Sequence, residues 1–102
     1  MRFGLPGSAI NAICTVLSAH PEVEGAILYG SRAKGNFKPG SDIDLTLTGT
    51  GLTHNLLLTI MTELDDLLLP WMIDLSLYND ITHAQLREHI ERVGVLFFSR
   101  SA

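Results

Sequence analysis

The sequence predicts a single small α/β domain of the α+β type, in which helices flank one mixed sheet of three or four strands. Three observations lead to this fold class. The chain has 102 residues, enough for one core and one domain, and we assign residues 1–102 to it. Two segments alternate strictly between apolar and polar residues, as half-buried strands do. Other segments repeat apolar residues at helical spacing and carry helix start and stop signals.

Composition restricts the possible functions. Hydrophobic residues make up 46% and charged residues 18%, which is typical of a folded globular domain. The net charge is -4 with seven Lys and Arg, so we expect no direct nucleic-acid binding. No apolar run approaches transmembrane length, and we expect no membrane association. The single cysteine, Cys14, excludes an internal disulfide and is consistent with a cytoplasmic location.

The chain begins with a predicted helix and a predicted strand. Ser8 can cap the helix, which should run to about Ala19 before Pro21. This start loosely resembles a secretory signal, but its apolar residues recur at helical spacing and favour a docked helix: Ile10, Ile13, Cys14 and Leu17. The segment VEGAILYG then predicts a short buried strand that ends at Gly30.

Two alternating segments place acidic residues on the polar face of predicted strands. In DIDLTLT the apolar residues point to one face, so Asp42 and Asp44 must stand side by side on the other. In WMIDLSLY, Asp74 has the equivalent position, opposite Ile73 and Leu75. If the two strands are neighbours in register, the three carboxylates converge.

Two further helices and a tail complete the predicted fold. The first of these two helices should run from about Thr53 to Leu69 and end at Pro70. Its apolar residues cover about half of its circumference, so it is either wedged deeply into the core or partly covered by a partner protein. Thr82, with a Gln three residues later, predicts a capping box for the last helix, which should stop at Gly94. The tail VLFFS fits either an edge strand or a packing segment.

The aspartate pair requires compensation for its charge. Two carboxylates at this range repel by about 1 to 4 kcal/mol near a protein surface. A shared proton or a divalent cation would offset that repulsion. Mg²⁺ is commonly held by one or two carboxylates together with substrate phosphates and water. The alternative is a solvated strand face with no ligand.

The Gly30-Ser31 pair follows a buried strand at the start of a short predicted helix. Free backbone N–H groups beside a serine hydroxyl form a site for phosphate oxygens, and glycine lets a ligand approach closely. Arg32 and Lys34 could contact the same anion, although loop cations often face only water. A phosphate site and the carboxylates would then face each other across one cleft.

These features together form a specific motif: a Gly-Ser pair, ten residues, an Asp-x-Asp pair and a further strand aspartate. The sequence here resembles the nucleotidyltransferase superfamily related to DNA polymerase β, and in particular its minimal members, the MNT antitoxins of HEPN/MNT toxin–antitoxin pairs. The resemblance implies the polymerase β-like fold and a transfer reaction that uses two Mg²⁺ ions and ATP. It implies that Asp42 and Asp44 bridge the metals and that Asp74 ligates one and helps to deprotonate the acceptor. The expected nucleotide site consists of Gly30, Ser31, Arg32, Lys34 and Ser41.

The resemblance also implies a partner. Family members of this type transfer AMP from ATP to a tyrosine of a HEPN RNase toxin, so we expect a hetero-oligomer with a HEPN-domain protein. Two alternatives remain open: a non-catalytic antitoxin that neutralises its toxin by binding, and a subunit of a transferase that acts on a small molecule such as an aminoglycoside. A nucleic-acid polymerase is the least favoured, because the chain lacks a basic surface and a second domain.

Overall fold

The computed structural model describes residues 2–100 and confirms the predicted fold class. A four-stranded mixed sheet has the strand order β3-β2-β1-β4. The strands are β1 (Gly25–Tyr29), β2 (Ile43–Thr48), β3 (Ile73–Leu77) and β4 (Val95–Ser99). The helices are α1 (Gly7–Ser18), α2 (Ser31–Lys34), α3 (His54–Asp65) and α4 (Ala84–Val93), with a 3₁₀ turn at Tyr78–Asp80.

The sheet combines both kinds of strand pairing. β1 is antiparallel to β2 and β4, whereas β2 is parallel to β3. A parallel pair needs a crossover connection, and α3 supplies it. The VLFFS tail is the edge strand β4, which settles the choice between an edge strand and a packing segment.

The two faces of the sheet pack against different helices. Helices α1 and α3 pack on one face over a fully apolar core, which includes Leu28, Ile43, Leu45, Ile13 and Ile60, all with no exposed surface. Burying a leucine or isoleucine of this kind contributes about 1.5 to 3 kcal/mol, so this core is a major source of stability. Helix α4 packs on the opposite face of β1, where Ile90 and Gly94 lie against Ile27. The polar side chains of β2 and β3 therefore share a face with α4.

Two helix starts differ from the prediction. Helix α1 has Pro6 as its N-cap, with no side-chain cap, so Ser8 lies inside the first turn and does not cap it. Helix α4 has His83 as its N-cap, and His83 Nδ1 accepts a hydrogen bond from Leu86 N–H at 3.3 Å. The capping box predicted at Thr82 is therefore wrong by one residue, because the imidazole takes the capping position.

The end of α3 is also earlier than predicted. The helix stops at Asp65, and Leu68 adopts a left-handed conformation with φ of 54° and is 88% exposed. This turn brings Leu67 and Leu69 against the core before Pro70, which disfavours helical conformation in the residue before it. Most of the broad apolar surface of this segment thus packs internally, and the leucines that stay exposed are Leu58 and Leu68. No helix within residues 2–100 has the length and hydropathy needed to cross a membrane.

Candidate active site

The turn after β1 lies directly against a carboxylate of β2. Gly30 has φ of 74° and ψ of −155°, a conformation that is essentially restricted to glycine. A Cβ atom at this position would collide with Asp44 Oδ2. Glycine is therefore required twice, for the backbone conformation and for the close approach. The structure brings the Gly-Ser turn and the aspartate strand together, as the motif predicts.

The strand aspartates lie next to each other. Asp44 of β2 pairs in register with Asp74 of β3, and both point away from the face that carries Ile43 and Leu75. Asp42 immediately precedes β2 and is exposed. Burial raises the pKa of Asp44, and the neighbouring charges of Asp74 and then Asp42 raise it further. Electrostatic repulsion within this group is thus present in the folded protein.

The three aspartates are ligands of the kind that a hard cation binds. No group of three or more His, Cys, Asp or Glu side chains within residues 2–100 is arranged to hold a metal by itself. Carboxylate oxygens are the ligands that Mg²⁺ prefers, and it usually completes its shell with phosphate oxygens and water. The carboxylates of Asp42, Asp44 and Asp74 are ligands of this kind, and a cation beside Asp44 would offset the repulsion that raises the pKa of its carboxyl group.

Sequence reasoning missed His89, which lies at this site. His89 Nε2 accepts a hydrogen bond from the Gly30 backbone N–H at 3.3 Å. Its ring meets Tyr29 edge-on, with 6.3 Å between centroids. A positive charge on this ring, in the protonated form that can no longer accept from Gly30, would lower the pKa of Asp44. Gly30 and His89 are 59 residues apart, and only the docking of α4 on β1 joins them. The sequence feature that could have indicated His89 was its position just before Ile90, on the inner face of the last helix.

Hydroxyl groups line the same face. Ser76 Oγ donates to Thr46 Oγ1 at 2.9 Å, which links β2 to β3 one step beyond the aspartates. Burial raises the pKa of the Tyr29 hydroxyl; a hydrogen bond with Ser76 lowers it, and the charges of Asp74 and Asp44 raise it. The Tyr29 phenol is therefore a neutral group beside the carboxylates at physiological pH.

Arg32 has a different place from the one predicted. Its side chain is only 2% exposed, and its guanidinium donates to the backbone carbonyls of Phe3, Pro39 and Ser41. The predicted phosphate contact of Arg32 is corrected accordingly, since its N–H groups are directed into the protein. Lys34 is exposed on α2. Ser41 Oγ accepts from Lys38 N–H at 2.9 Å and closes a turn of the loop before Asp42.

Solved structures share this fold. The chain resembles one chain of a toxin–antitoxin complex with AMP-PNP, at 20% identity and a TM-score of 0.72, over 90% of this chain and 74% of that one. It resembles a chain of the MntA–HepT toxin–antitoxin, at 18% identity and a TM-score of 0.68, over 92% and 73%. A third likeness is to a complex of tri-AMPylated Shewanella oneidensis HEPN toxin with MNT antitoxin, at 18% identity and a TM-score of 0.67, over 90% and 71%.

At these identities the structural likeness establishes the fold. A comparison with curated proteins found no match. The model of the polymerase beta nucleotidyltransferase family matches residues 11–102, which is most of the chain and includes every strand and every motif residue. The chain therefore belongs to the polymerase β nucleotidyltransferase family.

Proposed function

We propose that this nucleotidyltransferase is the antitoxin of a HEPN/MNT pair and transfers AMP from ATP to a tyrosine hydroxyl of a HEPN RNase toxin. The observation that carries the proposal is the contact of the Gly30 turn with Asp44, which itself lies in register with Asp74. Two structural relatives support AMP as the transferred group and a toxin as the acceptor. One is a complex with AMP-PNP, and another contains a tri-AMPylated HEPN toxin.

The start of α2 would receive the phosphates of the nucleotide. The first N–H groups of a helix have no partner within it, and here they follow a glycine that permits close approach. The Ser31 hydroxyl adds a neutral hydrogen-bonding group, and the exposed Lys34 adds a mobile positive charge. We assign Gly30 and Ser31 to the β and γ phosphates, with Lys34 and Ser41 at the edge of this site.

The carboxylates would act at the α-phosphate. Asp42 and Asp44 would hold Mg²⁺, for which we propose two ions, and Asp74 would ligate one of them. When bound, the metal offsets the carboxylate charge and stabilises the negative charge of the leaving pyrophosphate. The tyrosine oxygen forms a bond to the α-phosphorus as the bond from that phosphorus to the α,β-bridging oxygen breaks. Asp74 accepts the phenolic proton, and pyrophosphate departs with the bridging oxygen.

The position of Asp74 favours an acceptor from another chain. β3 is an edge strand, and Asp74 is exposed on it, so a hydroxyl group can approach from outside the domain. Two large apolar side chains just before it are also exposed: Leu68 at 88% and Met72 at 74%. A partner that covers this edge would bury them while presenting its tyrosine. This arrangement supports a hetero-oligomer with the toxin.

A labelling experiment tests the proposal. The protein is mixed with ATP, Mg²⁺ and the HEPN protein, and the toxin is analysed by intact-mass spectrometry. We expect one or more AMP-sized increments and loss of RNase activity, and we expect Asp42→Asn with Asp44→Asn to abolish both. Labelling by that double variant at the wild-type rate would refute the catalytic assignment. A double variant that still silences the toxin without labelling it would instead identify a binding antitoxin. In a parallel reaction that contains both an aminoglycoside and the toxin, labelling of the aminoglycoside alone would identify a small-molecule transferase.

A further inference from the structure

Arg32 is a buried charge that is held by hydrogen bonds to backbone carbonyls. No carboxylate within residues 2–100 forms an ion pair with it, and burial lowers the pKa of its guanidinium. Its Nε and Nη2 atoms both donate to the Ser41 carbonyl, at 3.1 and 2.9 Å. Nη2 also donates to the Pro39 carbonyl at 3.1 Å, and Nη1 donates to the Phe3 carbonyl at 2.8 Å. A buried charge with this many hydrogen bonds holds its partners in one geometry.

Trp71 contacts both Arg32 and one of the carbonyls that Arg32 binds. Its indole Nε1 donates to the same Pro39 carbonyl at 3.0 Å, and its ring centroid lies 5.8 Å from Arg32 Cζ. The ring of Phe37 lies at 5.1 Å from the same atom. The N-terminal turn closes over this group at Gly4, where a Cβ atom would collide with the Phe37 ring. We call Arg32, Phe37, Pro39, Ser41 and Trp71 the arginine clamp.

The arginine clamp joins the three segments that carry the site. Arg32 directly follows Ser31 of the phosphate turn, the Ser41 carbonyl belongs to the peptide bond of Asp42, and Trp71 leads into β3 and Asp74. Asp42 itself lies outside β2 and is exposed. Its backbone is held on one side by Arg32 at Ser41, and on the other by the hydrogen bond from Ile43 N–H to the Met72 carbonyl at 2.8 Å.

We propose that Arg32 is a positioning residue that sets the separation between the Ser31 turn and the Asp42 carboxylate, and thereby the affinity of the site for a metal–nucleotide complex. This inference rests on the proposed function, because it takes Asp42 as a metal ligand. A planar guanidinium can satisfy three carbonyls on two sides at once. A lysine ammonium is a point charge on a flexible stem and cannot reproduce that fork.

The chain supplies a matched control. Arg100 also donates to several backbone carbonyls, at the end of α1, and it stacks on Phe98 with 5.7 Å between Cζ and the ring centroid. It contacts neither the phosphate turn nor the aspartates. Arg100 is exposed whereas Arg32 is buried, so Arg100→Lys controls for the loss of an arginine that holds backbone carbonyls, and the stability of each variant is measured beside its binding to account for the difference in burial.

The experiment compares the wild type, Arg32→Lys and Arg100→Lys at a temperature at which circular dichroism shows all three folded. Mn²⁺ binding in the presence of ATP is measured by electron paramagnetic resonance. We expect Arg32→Lys to weaken Mn²⁺ binding about 10- to 100-fold, the usual effect of removing a residue that orients a metal ligand. We expect Arg100→Lys to bind as the wild type does. Equal affinities in the two variants would overturn the proposal.

Two further measurements decide the remaining cases. If Arg32→Lys does not fold, Trp71→Phe removes only the bond to Pro39 and keeps an aromatic ring; a weaker but measurable loss of Mn²⁺ affinity supports the clamp, and no loss overturns it. If the wild type binds neither Mn²⁺ nor ATP, the proposed function fails. The proposal on Asp42 then depends on amide hydrogen exchange: faster exchange confined to residues 36–42 in Arg32→Lys supports positioning, and unchanged exchange there overturns it.

Discussion

Substitution of Gly30 by alanine should damage the site more than the fold. The backbone at Gly30, with φ of 74° and ψ of −155°, costs a residue with a Cβ atom about 1 to 3 kcal/mol. That cost should lower the melting temperature by about 4 to 24 °C in a domain of this size. The new Cβ atom also meets Asp44 Oδ2, so the carboxylate must rotate or the turn must shift. We therefore expect loss of ATP-dependent Mn²⁺ binding and of AMP transfer, even where the variant remains folded.

Gly35→Ala is the matched control for this prediction. Gly35 also has a positive φ, 85°, but no atom lies within 4 Å of an added Cβ. The variant carries backbone strain of about 1 to 2 kcal/mol without the collision. Melting is followed by circular dichroism, Mn²⁺ binding by electron paramagnetic resonance and transfer by mass spectrometry. If Gly30→Ala and Gly35→Ala lose stability to similar extents and both retain transfer, the claim that the Gly30 turn contacts a functional carboxylate is wrong.

Three further predictions follow from the same group of residues. The pKa of Asp44 is raised in the folded protein, so ionisation of its carboxyl group destabilises the native state, and Asp44→Asn should raise the melting temperature at pH 7. This gain should disappear as the pH falls below the ordinary aspartate pKa of about 3.9, and a gain that stays constant across that range would contradict the explanation. His89→Leu leaves the Gly30 N–H without its acceptor and should lower the free energy of unfolding, measured with denaturant, by about 1 to 3 kcal/mol, whereas His89→Gln should lower it less. Equal losses in the two variants would exclude the hydrogen bond as the cause. Mg²⁺ with ATP at about 100 times the dissociation constant should stabilise the wild type by about 2.7 kcal/mol and should have no such effect on Asp42→Asn with Asp44→Asn; equal thermal shifts would argue against these ligands.

The alternation of apolar and polar residues was sufficient to predict the strands and the face on which their aspartates lie. Alternation in β2 places Asp44 opposite Ile43 and Leu45, because successive side chains of a strand point to opposite faces. The same rule places Asp74 away from Leu75 on β3. Local rules were less reliable at helix ends. Pro6 occupies the N-cap position of α1 without a side-chain hydrogen bond, and His83, one residue after the predicted Thr82, accepts from a free N–H group of α4.

The sequence by itself determined which residues can form a strand and which carboxylates share a face, since both depend on neighbours along the chain. Only the tertiary structure decided that β2 and β3 pair in parallel with Asp44 beside Asp74, that α4 brings His89 to Gly30, and that Arg32 points inward to the Ser41 carbonyl. These contacts join segments that are far apart in sequence or depend on burial. Their geometry is set by how the helices dock on the sheet, and a linear pattern carries no record of that docking.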